Sequence, residues 1–164
     1  GFAPGRVTNL SAPEVNYRQY SEHSLRLQIP SLQVDQPIVG VSLEEHGWNT
    51  DWLWRQIGYL EGSSFPTWTG NTVLTAHNYL PNGDPGPFVD LGQLHWGDHV
   101  IIQMGAVDYV YQVRKTYYVT PDDTTPLSSE LDDWLTLLSC YQYSEQLGDY
   151  IWRVVVKAVL VETR

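Results

Sequence analysis

The sequence predicts an all-β domain built as a closed or nearly closed barrel. Short segments alternate apolar and polar residues. Loops rich in Gly, Pro and Asp separate them, and few stretches keep a helical period. Seven Trp and eleven Tyr stand against three Phe. Such rings have an apolar body and a polar tip, which suits half-buried strands and grooves; a sugar-binding aromatic platform is the alternative use.

The elements follow in order. Residues 1–23, with Pro4, Gly5 and Pro13 and no clean period, read as an N-terminal linker or tail. The domain proper is expected over 24–164. Leu25, Leu27 and Ile29 alternate with polar partners as one strand. After a turn at Pro30-Ser31, residues 32–34 and 37–41 read as two further short extended pieces. Residues 48–60 are ambiguous, because Trp52, Leu53, Gln56 and Ile57 also fit one or two helical turns. Residues 62–70 read as loop and 71–77 as a β-branched and apolar strand ending on His77. The breaker cluster 81–87 is a loop, and 88–94 suits a short helix. Trp96-Gly97-Asp98 turns into a strand at 99–104, and 105–108 connects a hairpin. Its second arm, 109–119, sets Tyr109, Tyr111 and Val113 on one face and Val110, Gln112 and Arg114 on the other. Residues 121–130 form a long polar loop, 134–140 a strand, 141–150 a polar loop and 151–161 a closing strand.

Composition narrows the function. At 164 residues the chain is large enough for one domain with its own core. A formal net charge of -10 argues against a nucleic-acid partner, which demands clustered Lys and Arg. It equally disfavours docking on an anionic membrane, and it suits a soluble acidic surface. The single cysteine excludes an internal disulfide and a cysteine-based zinc site. No apolar run is long enough to span a bilayer.

Three residues carry the chemistry. Cys140 and His77 each close an apolar strand, and Arg153 begins the last strand thirteen residues beyond Cys140. A strand–loop–strand of that length can return Arg153 beside Cys140, so the three strand ends can meet on one rim. A thiolate is a strong nucleophile. Histidine can protonate a leaving amine and later deprotonate an attacking one. Arginine stays charged and presents several N–H donors to a developing oxyanion.

Several blocks resemble the sortase family. Thr136-Leu137-Leu138-Ser139-Cys140 is similar to the sortase Thr-Leu-x-Thr-Cys signature, and Arg153 follows at the sortase distance. The stretch from Gly70 to His77 resembles the sortase strand that ends in the catalytic histidine. Residues 27–38, containing Ile29-Pro30-Ser31-Leu32-Gln33-Val34 and Pro37-Ile38, resemble the opening sortase strands. Gly97-Asp98-His99-Val100 and residues 109–113 match the hairpin region between them. The resemblance spans roughly 25–161 and keeps the order His, Cys, Arg. Ser139 stands where Thr is usual, and Ala76 where many sortases have Gly.

The resemblance implies a closed eight-stranded β-barrel with short helices and long loops. It implies a cysteine transpeptidase that cleaves a Leu-Pro-x-Thr-Gly-like sorting signal through a thioacyl-enzyme. The acyl group then passes to an amine on a peptidoglycan precursor or a pilin lysine. His77, Cys140 and Arg153 are the implied catalytic residues, and Ala76, Thr136 and Ser139 the implied substrate-binding ones. No cofactor or metal is implied. The expected setting is the bacterial cell surface, outside the cytoplasm, with a membrane tether that this chain lacks. A hydrolytic cysteine peptidase on the same scaffold and a non-enzymatic β-rich binding module are the alternatives. His95 and His99 have a spacing that binds metal on a helix, but Gly97-Asp98 between them reads as a turn. The pairs Asp122-Asp123 and Asp132-Asp133 read as solvated loop acids rather than a glycosidase pair, and their spacing does not resemble a calcium loop.

Overall fold

A computed structural model describes residues 25–164. The expected tail at 1–23 and the domain start at Ser24 lie outside the described residues. Ten strands follow one another among the described residues: β1 (Arg26–Ile29), β2 (Val34–Val41), β3 (Leu43–Glu44), β4 (Gly47–Trp48), β5 (Ile57–Leu60), β6 (Gly70–Thr75), β7 (His99–Met104), β8 (Val107–Val119), β9 (Asp133–Ser144) and β10 (Asp149–Thr163). Eight of them close a barrel in the order β1-β2-β5-β6-β9-β10-β8-β7, and β3 and β4 form a small separate hairpin. β1 pairs with both β2 and β7, so the barrel has no open edge to template aggregation. The β2/β5 and β6/β9 pairs are parallel and the others antiparallel.

Alternation fills the interior. Leu27 and Ile29 of β1, Ile102 of β7, Tyr111 and Val113 of β8, Leu135 and Leu137 of β9, and Val154, Val156 and Ala158 of β10 share one buried core. A smaller cluster of Val41, Leu53, Leu60 and Val73 lies apart from it, with Val39, Trp48 and Leu127 packed against it. This second cluster explains the ambiguity at 48–60. Leu53 and Ile57 recur at helical spacing, yet each belongs to a different core. The local outcome is a 3₁₀ turn at Asp51–Leu53 followed by β5.

Other expectations shift in detail. Leu32 sits in a 3₁₀ turn (Pro30–Leu32) and Gln33 takes a left-handed conformation, so the two extended pieces become one strand, β2. The short helix expected at 88–94 is a 3₁₀ turn at Leu91–Gln93. The strand at 71–77 starts at Gly70 and stops at Thr75, leaving Ala76 and His77 beyond it.

The largest correction concerns 141–150. It is no loop: β9 and β10 run on as a hairpin, with Trp152 opposite Tyr141, Tyr150 opposite Tyr143 and Asp149 opposite Ser144. The Tyr143 and Tyr150 rings meet edge to face at 5.3 Å. Cross-strand aromatic contacts of this kind outweigh the polar residues between them. Cys140 and Arg153 therefore lie within strands rather than at their ends.

Candidate active site

The barrel rim is set by where the flanking strands stop. β6 accompanies β9 only as far as Thr75 opposite Leu138, and β8 accompanies β10 only as far as Val119 opposite Arg153. Beyond that level the β9/β10 hairpin projects alone. Cys140 and Arg153 sit at this level and are directly opposite each other across the antiparallel pair. Directly opposed residues share a face, with Cβ atoms typically about 5 Å apart. Leu135 and Leu137 point into the core, so alternation turns Thr136, Leu138 and Cys140 outward, together with Lys157, Val155 and Arg153 opposite them.

His77 arrives from β6. Thr75 Oγ1 donates to the Leu138 carbonyl at 2.7 Å, and Ser139 Oγ donates to the Ala76 carbonyl at 2.9 Å. These bonds extend the parallel alignment past the end of β6 and bring His77 to the level of Cys140. On its other side His77 is gripped by the loop that follows. Phe88 N donates to the His77 carbonyl at 3.0 Å, and Gly86 N donates to the Asn78 carbonyl at 2.7 Å. Only a glycine fits at position 86, because a Cβ there would lie 2.3 Å from the His77 carbonyl oxygen. The ring nitrogen Nε2 of His77 is buried and has no hydrogen-bond partner among the described residues.

Cys140 is partly buried, and burial pushes its thiol above the ordinary range. Arg153 pulls it back down, and Asp149 pushes it up. Burial thus works against the attacking thiolate at Cys140, and Arg153 works for it. Arg153 Nη1 donates to its neighbour's carbonyl, Trp152 O, at 3.3 Å, and no carboxylate pairs with Arg153 among the described residues. Its remaining donors are open to a reacting oxygen.

The residues expected to bind substrate are buried beneath this surface. Ala76, Thr136 and Ser139 are 6, 0 and 2 % exposed. Ser139 bonds to the chain ahead of His77, and the Thr136 hydroxyl lies between Asn71 and Lys157. Sequence reasoning missed Gly86, Phe88, Asn71 and Lys157. One signal was available: a lysine stands alone in the apolar run Val154-Val155-Val156-Lys157-Ala158. The backbone between His95 and His99 is a turn entering β7, and His95 Nδ1 lies 3.0 Å from Asp98. Asp123 caps the turn at Thr125–Leu127, accepting from Thr125 N and Oγ1.

Comparison with known proteins finds sortases. The family model described as the sortase domain matches residues 27–161. Sortase D of Bacillus subtilis (strain 168) is 28% identical over 119 residues, covering 72% of this chain and 54% of that protein. The chain thus spans about half the length of the curated relative it matches. Sortase A from Corynebacterium diphtheriae, in a lid mutant, superposes with a TM-score of 0.75 at 25% identity, over 96% of this chain and 83% of that one. The pilus-related sortase C of Group B Streptococcus gives 0.72 at 26% identity, over 98% and 77%.

Proposed function

The chain belongs to the sortase family, and from that premise we propose that this domain is a cysteine transpeptidase acting through Cys140, His77 and Arg153. The observation that carries the reading is the direct cross-strand pairing of Cys140 with Arg153, at the level where β6 delivers His77. The proposed substrate is a Leu-Pro-x-Thr-Gly-like sorting signal. The proposed acceptor is an amine, on a peptidoglycan precursor or on a pilin lysine.

The steps follow from the chemistry of the three groups. The Cys140 thiolate adds to the Thr carbonyl carbon, and negative charge moves to the carbonyl oxygen. Arg153 donates hydrogen bonds to that oxygen. The C–N bond then breaks as protonated His77 gives its proton to the departing glycine amine, leaving a thioester on Cys140. In the second half the acceptor amine adds to the thioester carbon and neutral His77 takes its proton. The C–S bond breaks, the thiolate leaves, and a new amide is released. Ala76, Ser139 and Thr136 serve from beneath, by fixing β6 against β9.

The working place is the bacterial cell surface, outside the cytoplasm. No helix among the described residues is long and apolar enough to cross a membrane. The test is mass spectrometry of the protein mixed with a sorting-signal peptide. An acyl adduct on Cys140 is expected, together with a transfer product once an amine is added. Cleavage that survives in a folded Cys140→Ala variant refutes the enzyme reading, and products that ignore the added amine favour a hydrolytic peptidase.

A further inference from the structure

A buried polar ring stands on the outer face of the barrel, and of its members the reading above uses only Thr136. Lys157 of β10, Thr136 of β9 and Asn71 of β6 are 6, 0 and 2 % exposed. Lys157 Nζ donates to Thr136 Oγ1 at 2.7 Å and to the Pro126 carbonyl at 3.2 Å. Thr136 Oγ1 donates to Asn71 Oδ1 at 2.5 Å. Asn71 Nδ2 donates to the carbonyls of Pro126 and Ser128, both at 2.9 Å. The ring closes on Pro126, and each group is used in keeping with its valence: the hydroxyl donates once and accepts once, and the amide gives both of its hydrogens.

Burying a lysine is costly, and no carboxylate pairs with Lys157 among the described residues. Burial pushes its ammonium below the ordinary lysine range, with Glu130 acting in the other direction. A core packed for stability alone would favour an apolar side chain here. What the lysine and the asparagine hold instead is the main chain of the β8–β9 connection, residues 120–132, at the two carbonyls of Pro126 and Ser128.

That connection is held on the same outer face of the β9/β10 pair as the reaction centre. Thr136 and Lys157 are the opposed pair two outward-facing rows below Cys140 and Arg153. Four residues of strand span about 13 Å. An extended peptide lying on this face with its reacting carbonyl at Cys140 would reach the clamped loop within about four residues.

We infer that Lys157, with Asn71, is a positioning residue: it clamps the 120–132 connection as a fixed wall for the peptide substrate. The inference rests on the transpeptidase reading above for its substrate, though not for the clamp itself. Lys157→Met keeps the length of the stem and removes the donors. Asn71→Ala frees the Ser128 carbonyl and removes one of the two donors to the Pro126 carbonyl, leaving the lysine in place.

Two measurements on the folded variants decide. The first is amide hydrogen exchange. The Leu127 and Ser128 N–H groups bond to the Thr124 and Thr125 carbonyls, and their exchange is expected to quicken while β9 stays protected. The second is steady-state kinetics with a sorting-signal peptide. KM is expected to rise about tenfold, the scale of one hydrogen bond to a charged group. The kcat value and the rate of Cys140 alkylation by iodoacetamide are expected to stay within about twofold of wild type. Unchanged exchange at Leu127 and Ser128 overturns the clamp. Quickened exchange with an unchanged KM overturns its role in holding substrate, and so does a parallel fall of kcat and alkylation at constant KM. Failure of the transpeptidase reading looks different: wild type itself then forms no adduct, and the exchange result still decides the clamp.

Discussion

Gly86→Ala is expected to cripple turnover without touching a catalytic side chain. An added Cβ would lie 2.3 Å from the His77 carbonyl oxygen and 2.8 Å from its carbonyl carbon, both backbone atoms that no rotamer change can clear. Ordinary contact begins near 3.4 Å, so relief requires a main-chain shift of about 1.1 Å. The glycine is not free to retreat alone. Its N–H is bonded to Asn78 O at 2.7 Å, and Phe88 N holds His77 O at 3.0 Å, so the loop and the histidine move together. A misplacement of about 1 Å in a catalytic group costs on the order of 10²-fold in rate, or about 2.7 kcal/mol of barrier. The assay is single-turnover acylation with a sorting-signal peptide. Iodoacetamide alkylation of Cys140 at high pH serves as control, because there the thiolate forms without help. The expected result is a hundredfold-scale loss of acylation with alkylation unchanged and the fold intact by circular dichroism. A folded Gly86→Ala enzyme within about threefold of wild type would refute the claim that this loop sets the position of His77.

Three further predictions concern neighbouring residues. Arg153→Lys keeps the charge but loses the planar fork, so acylation is expected to fall by roughly 10²–10³; a variant within a few-fold of wild type would place the arginine outside the reaction. Arg153→Met also removes the one influence that lowers the Cys140 thiol. The alkylation midpoint is then expected to move to higher pH than in wild type, read from the pH dependence of iodoacetamide labelling. Ser139→Ala strips the donor from the buried Ala76 carbonyl and is expected to cost about 1–3 kcal/mol of stability in urea unfolding.

The sequence alone determined the β-rich class and most of the strands, and it singled out the three residues proposed to react. Leu25, Leu27 and Ile29 alternate cleanly because one face of their strand is buried in the barrel. Cys140 stands out because there is no other thiol. These are local or compositional signals, and a linear reading can hold them. The rim on which Cys140 and Arg153 meet was anticipated as a junction of strand ends. It exists for a different reason: both strands run on as a hairpin, and their neighbours stop beside them. Where a strand loses its partners depends on pairings between segments far apart in sequence, which no local period records.

The same reason separates the rest. Leu53 and Ile57 look like one helical face until two cores claim them. Thr136 reads as part of a catalytic motif, yet its hydroxyl is committed to Asn71, which is 65 residues away in the chain, and to Lys157. Gly86 is one small residue between two prolines, and only the return of the loop onto the His77 carbonyl gives it a role. Composition and periodicity name the groups able to react. Only tertiary contact decides which polar groups are held underneath, because a buried hydrogen bond is fixed by the partner that folding brings to it.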